Sequence, residues 1–401
     1  MQWRPRLETD TPCEALHQRS RARYHPRLEV TASRASRRFL LIDALRGLAA
    51  LAVVLYHVEE GRHIEGLSAA MPRFLRVLLE HGGLGVEVFF VLSGFVIAHA
   101  MSRHEVTRGY VGRFMLRRSL RLDPPYWASM ALGIAFGVLS SHLVTGKSYA
   151  LPGGKEIVIH VLYLQDLLGV PPLSSIYWTL CLEIQFYLVF SLLMLVAARL
   201  RRRLSPEAAF YAVMLPAAIV ADIWPPQLRP FGVPGTFLSH WHLFIAGVLV
   251  WWSATRSTDR LARAIAITNL AALLMLAAAR ADVALLVGLI AATLILVAAL
   301  CGKLSTWLSA RPLQWLGAIS YSLYLTHNAI AGAAFRLAYR LTGHTLATEA
   351  LCSVLVVAVS LAFAYLFHRA IERPSLALSH CVDDEDSVAP AVEGLYVSRT
   401  S

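Results

Sequence analysis

Ten blocks of some twenty mostly apolar residues recur along this 401-residue chain, each long enough to cross the ~30 Å hydrocarbon core of a bilayer as one α-helix. Nothing constrains the fold more. A backbone inside lipid must satisfy its own hydrogen bonds, and a helix does so within a single segment. The blocks cover 40–58, 84–101, 124–143, 178–198, 207–224, 236–253, 264–279, 283–301, 313–333 and 350–371. Hydrophobic residues make up 57% of the chain and charged ones 16%, more apolar surface than one water-soluble core can bury. The expected class is therefore an all-α membrane protein, a polytopic bundle of about ten transmembrane helices. A shorter stretch, 156–168, carries Glu156, His160 and Asp166 and reads as a re-entrant or interfacial piece.

Basic residues set the orientation. With the N-terminus in the cytoplasm, the short inner loops carry 15 Lys/Arg in 51 residues and the outer loops 9 in 89. Both termini are then cytoplasmic. Residues 1–39 hold nine arginines and no apolar run, which reads as a disordered basic segment; 375–401 reads as a polar, acidic tail, leaving 40–374 as the membrane domain. The net charge of +11 follows from this topology and from contact with anionic lipid. It is poor evidence for nucleic acid, and no residue grouping suggests a metal.

Ionisable side chains inside spans are costly and face the bundle interior, so each is a candidate for function. In "RGLAALAVVLYH", Arg46 and His57 lie eleven positions apart, which returns them to within about 20° on a helix, some 16 Å apart along its axis. Arg46 sits toward the cytoplasm and His57 toward the outer surface, with Asp43 one turn before Arg46 and able to pair with it. Glu87, Glu183 and His327, from three other spans, are expected at the depth of His57. A carboxylate beside a histidine holds one tautomer and raises its basicity. On the inner side, "RFMLRRSLRLDPPYW" puts Arg117, Arg118 and Arg121 on adjacent turns, and Pro124 and Pro125 are expected to reset the chain before the third span. Arginine forks bind phosphate bidentately, so this side reads as a polyphosphate seat. A ligand with a phosphorylated head and a long thin arm, such as an acyl-coenzyme A, fits both layers. The plainer alternatives are positive-inside snorkelling for the arginines and interfacial or packing roles for the histidines and Glu183.

The pieces "IDALRGLAALAVVLYH", "GVEVFFVLSGFVI", "RRSLRLDPPYW", "YWTLCLEIQFY", "SYSLYLTH" and "HRAIERP" resemble, in order, the integral-membrane acyltransferase 3 family, over about residues 38–375. Members transfer acyl groups, often acetyl, from cytoplasmic acyl-CoA to hydroxyls of carbohydrates and other acceptors, commonly at the bacterial inner membrane. The resemblance implies that Arg46 and His57 match the family's essential pair, and that Arg117, Arg118 and Arg121 match its arginine motif. Two positions depart from the pattern: Ile184 stands where a second acid is common, and Asp123 where an apolar residue is.

The expected activity is an O-acyltransferase with acetyl-CoA or another acyl-CoA as donor and a carbohydrate or glycoconjugate as acceptor. Catalytic roles fall to His57, as general base or acyl relay, to Glu87, which orients it, and to Arg46. Donor contacts fall to Arg46, Arg117, Arg118 and Arg121, and acceptor contacts to Glu183, His327 and Tyr187. Ser93 and Gly94 read as a close helix approach or a kink, and not as a nucleophile. The rival class is a transporter or flippase of a glycan or lipid-linked substrate, with Arg46 and Glu183 lining its path.

Overall fold

The computed structural model describes residues 38–143, 149–223, 235–256 and 259–382, and every regular element among them is helical. Helix α1 (Leu40–Glu60) is followed by two short helices, α2 (Glu65–Ala70) and α3 (Arg73–Glu80), and a 3-10 turn (Gly82–Leu84) that feeds α4 (Gly85–Ser102). Next come α5 (Arg108–Leu143), the short α6 (Gly154–Val161), α7 (Trp178–Leu200), α8 (Pro206–Ile223) and α9 (Trp241–Thr255). The chain continues through α10 (Arg260–Arg280), α11 (Val283–Leu300), α12 (Arg311–Thr342) and α13 (Leu346–Phe367), then a π-helical turn (His368–Glu372) and α14 (Arg373–His380). Side chains cap five of these helices at the N-terminus: Thr107 accepts from Tyr110 N–H, Ser205 from Ala208 N–H, Asp259 from Leu261 and Ala262 N–H, Asp282 from Leu285 N–H, and Thr345 from Thr348 N–H.

Seven helical stretches among the described residues are long and apolar enough to cross a membrane: α1, 82–102, α7, 237–255, α10, α11 and 346–380. The other three expected spans also fall on helices, but α8 has a shorter apolar run, Pro206–Ala221, and α5 and α12 fall outside the set. The reason for α12 is physical. Its middle carries Ser320, Ser322, Thr326 and His327, each at most 1% exposed, so its polar residues point into the bundle and lower its hydropathy.

Two close helix pairs build the centre. Helix α9, buried along Trp241–Ser253, packs on α4, and α12 packs on α1, with α1 also against α4. Glycine makes both contacts possible. A Cβ on Gly47 would stand 2.6 Å from the Gly317 backbone nitrogen, and one on Gly317 would collide with the Asp43 carbonyl. Likewise a Cβ on Gly94 would strike the Phe244 carbonyl, and one on Gly247 that of Val91. The backbones touch, the arrangement small residues permit in membrane bundles, and the close approach expected at Ser93–Gly94 is present.

Two expectations need correcting. Pro124 and Pro125 do not reset the chain: α5 runs unbroken through both, with the Tyr321 hydroxyl donating to Leu122 O at 2.9 Å beside them. The domain does not stop at 374, because α14 continues to His380 with Ser375 and Ser379 buried, packed on α5. The rest of the expected acidic tail and residues 1–37 of the basic segment lie outside the described residues. Helix α6 has eight residues, too short to cross a bilayer. It is tied down by Tyr126, whose hydroxyl donates to His160 O at 3.1 Å, and by the His160 ring, whose Nε2 accepts from Leu173 N–H at 3.1 Å.

Gly317→Ala, which forces a side chain into the α1 backbone, should destabilise the protein by about 1–3 kcal/mol. Thermal unfolding of the detergent-solubilised protein reads this out, and an unchanged midpoint would contradict the backbone contact.

Candidate functional site

Two cavities lie against successive parts of α1. The first, about 520 Å³, surrounds Arg46 and gathers Arg118 and Arg121 from α5, Glu183 and Tyr187 from α7, and Glu372 from the π turn. Its acids are all engaged. Asp43 takes Arg38 Nε at 2.5 Å and Arg46 Nη1 at 3.8 Å. Glu372 accepts from Ser322 Oγ at 2.5 Å and meets His368 Nδ1 at 2.9 Å. Glu183 accepts from Ser93 Oγ at 2.7 Å and from the Tyr187 hydroxyl. The arginines of α5 are less satisfied. Arg118 lies over the Tyr187 and Phe114 rings, at 5.0 and 5.5 Å from their centroids, a contact that holds a cation without neutralising it. Among the described residues neither Arg118 nor Arg121 has a carboxylate within ion-pair distance. A cavity with two uncompensated guanidinium groups and every carboxylate spoken for is built to take an anion.

The second cavity, about 380 Å³, lies beyond it along α1 and is lined by His57, Tyr56, Glu60, Glu80, His81 and Glu87, among others. Here the bonding fixes a tautomer. His327 Nδ1 lies 3.1 Å from Leu323 O and 2.8 Å from Tyr324 O. Carbonyls only accept, so Nδ1 carries the proton and Nε2 the lone pair. That Nε2 faces His57 Nδ1 at 3.3 Å, and His57 Nδ1 also reaches Val53 O at 2.9 Å. His57 therefore donates from Nδ1 to two acceptors, and its Nε2, with no hydrogen bond among the described residues, is left as a free base in the cavity. His327 is fully buried, which holds this clamp rigid.

One residue lines both cavities, Tyr324 of α12. Its hydroxyl lies 3.0 Å from Ile176 O and 2.8 Å from Thr179 Oγ1, at the start of α7, and its ring stands edge-on to Phe89 at 5.6 Å.

Most of the expected site residues are drawn together, with a different division of labour. Arg46, Arg118 and Arg121 share the first cavity; Arg117 does not line it and instead lies 5.8 Å from the Tyr110 centroid. Glu183 and Tyr187 belong to the Arg46 cavity and not to the level of His57. Helix α7 begins at Trp178, which sinks Glu183 more than a turn below the helix start. Glu87 does share the His57 cavity, but its carboxylate faces His240 Nε2 at 3.8 Å, while the ring bond to His57 comes from His327. Residues not singled out from the sequence include Tyr324, Ser322, His368 and Glu372. "SYSLYLTH" and "HRAIERP" contain all four, and the three-residue step from Tyr324 to His327 was the available sign that both face one way.

A protein-family model described as an acyltransferase domain matches residues 39–369. Among curated proteins, YrhL of Bacillus subtilis, provisionally named a peptidoglycan O-acetyltransferase, is 28% identical over 324 residues, 71% of this chain and 47% of its own. BcsY of Komagataeibacter xylinus, provisionally named a membrane-bound transacylase, is 29% identical over 303 residues, 71% of each chain. The peptidoglycan O-acetyltransferase OatA of Listeria monocytogenes is 28% identical over 175 residues, 41% of this chain and 25% of its own. The chain thus spans about half the length of YrhL and a quarter of OatA. No solved structure matches the chain.

Ser322→Ala removes a donor from the buried Glu372 carboxylate and should cost about 1–3 kcal/mol of stability. The comparison is Ser102→Ala, at an exposed position, which should leave the thermal midpoint in place; equal midpoints for the two variants would refute the assignment.

Proposed function

The chain belongs to the acyltransferase family, and from that premise and the two cavities we propose that it moves an acyl group, acetyl in the simplest case, from acyl-CoA to a hydroxyl of a carbohydrate. The Arg46 cavity, on the cytoplasmic side in this proposal, holds the phosphates of the donor, with Arg118 and Arg121 as its uncompensated cations. The thioester end extends along α1 toward His57. The axial separation of Arg46 and His57 on one unbroken helix, about 16 Å, suits a pantetheine arm.

In the transfer step, His57 Nε2 accepts the proton of the acceptor hydroxyl as its oxygen attacks the thioester carbonyl. A C–O bond forms, the C–S bond breaks, and the proton passes from the imidazolium to the departing thiolate, giving an ester and free CoA thiol. His327 acts through His57: its Nε2 accepts from His57 Nδ1–H, holding the tautomer and stabilising the imidazolium. The observation that carries this proposal is the unbonded Nε2 of His57, set in a cavity and clamped from behind. A carbohydrate acceptor is supported by the two relatives named for peptidoglycan, and the multi-pass membrane setting by the seven long apolar helices.

The test is purified full-length protein with labelled acetyl-CoA and candidate glycans, peptidoglycan fragments among them. His57→Ala should lose the ~10²–10⁴-fold that a general base contributes while still binding CoA by calorimetry. Normal transfer by that variant would end the proposal, and failure of any label to move would favour a transport role. In the same calorimetry, Arg118→Gln and Arg121→Gln should each weaken CoA binding about 10- to 100-fold, the worth of a charge-assisted hydrogen bond. Arg117→Gln should bind like the unaltered chain, and equal losses at all three arginines would contradict the division described above.

A further inference from the structure

Tyr324 is the one residue among those described that lines both cavities, so its side chain stands between the Arg46 side and the His57 side. Helices α4, α7 and α12 wall both cavities: Val86 and Glu87 face one where Phe89 and Phe90 face the other, and Ile176 and Trp178 face one where Thr179 and Leu180 face the other. Tyr324 lies across the join, 6% exposed. Its hydroxyl is latched at two points, to Ile176 O in the segment leading into α7 and to Thr179 Oγ1 in its first turn, and Thr179 Oγ1 itself donates to Ile176 O at 3.1 Å. The three oxygens share the two hydroxyl protons in a closed cluster. The ring is braced by Phe89, and the Tyr324 carbonyl accepts from His327 Nδ1, so the partition and the clamp on His57 sit on one helical turn.

We propose that Tyr324 is a latched gate between the donor cavity and the His57 cavity, and that the width left when it swings selects the acyl chain that can be transferred. The proposal rests on the donor assignment made above. A tyrosine suits this role because its ring supplies bulk and its hydroxyl supplies a bond that breaks and re-forms without leaving a charge behind. The ring and the latch have separable effects. Removing the hydroxyl leaves the partition but frees it; removing the ring widens the passage itself.

Full-length protein in detergent is incubated with acyl-CoA probes bearing a photoreactive diazirine on a short or a long acyl chain, irradiated, and mapped by mass spectrometry. The quantity read is the ratio of label on outer-cavity peptides, around Val53–His57 and Val86, to label on donor-cavity peptides, around Phe89–Val96 and Ser320. In the unaltered chain the short probe is expected to label both and the long probe only the donor cavity. Tyr324→Phe should raise the outer-to-inner ratio of the short probe about tenfold, the equivalent of two ordinary hydrogen bonds, and leave the long probe excluded. Thr179→Val should move the ratio in the same direction. Tyr324→Ala should admit the long probe. Inner-cavity labelling that excess CoA abolishes shows that each variant is folded. If that labelling persists while the ratios match the unaltered chain in all three variants, the gate is overturned. If no chain shows labelling that CoA competes away, the donor assignment itself fails.

Discussion

The contact on which the site depends is the crossing of α1 and α12, where Gly47 and Gly317 bring the two backbones together. No side chain separates the helices there, so residues on either side of the crossing are held in register. Toward one end that register sets Arg46 beside the cavity shared with Ser320 and Tyr321. Toward the other it brings His57 Nδ1 to 3.3 Å from His327 Nε2. Move the helices apart by the width of a methyl group and both relationships go, since side chains of fixed length cannot follow. The second glycine contact, between α4 and α9, performs the same service for the opposite wall.

Charge is distributed with the same economy. The Arg46 cavity holds acids as well as arginines, yet each acid is tied to a partner from another turn or another helix. Glu183 links α7 to α4 through Ser93, and Glu372 links the π turn to α12 through Ser322. These bonds join helices where hydrophobic attraction between them is weak. They also hold the three carboxylates of the cavity to fixed partners, while five arginines line the same space, so Arg118 and Arg121 present a net positive field to what enters. Satisfied acids and unsatisfied arginines are two sides of one arrangement.

Much of this was legible in the sequence because it depends on helical phase alone. Arg46 and His57 sit on one helix, and counting residues places them. Glu183 was misjudged in depth although its helix starts at Trp178, where the block at 178–198 was expected to start; the count along α7 does not say how far that start stands from the level of His57, which packing between helices sets. The partner of His57 was assigned to Glu87 because a carboxylate is the usual companion of a basic imidazole; which of two nearby groups turns toward the ring depends on packing between helices, which no single helix encodes. Helix α12 shows a different limit. Its polar centre lowers the hydropathy that marks a span, yet that centre is polar because it faces the site. Tyr324 lay in a quoted motif and drew no notice, since a tyrosine among leucines looks like packing until two cavities are seen on either side of it.

The uninterrupted course of α5 through Pro124 and Pro125 has a mechanical consequence. Two consecutive ring nitrogens without hydrogens leave the carbonyls of Leu120 and Arg121 without their helical donors. The ladder is missing two rungs directly after the arginines, and a rod is most compliant where it is least braced. Arg118 and Arg121 stand on the turns just before this gap, so the least braced part of α5 lies directly beside the cavity that they line.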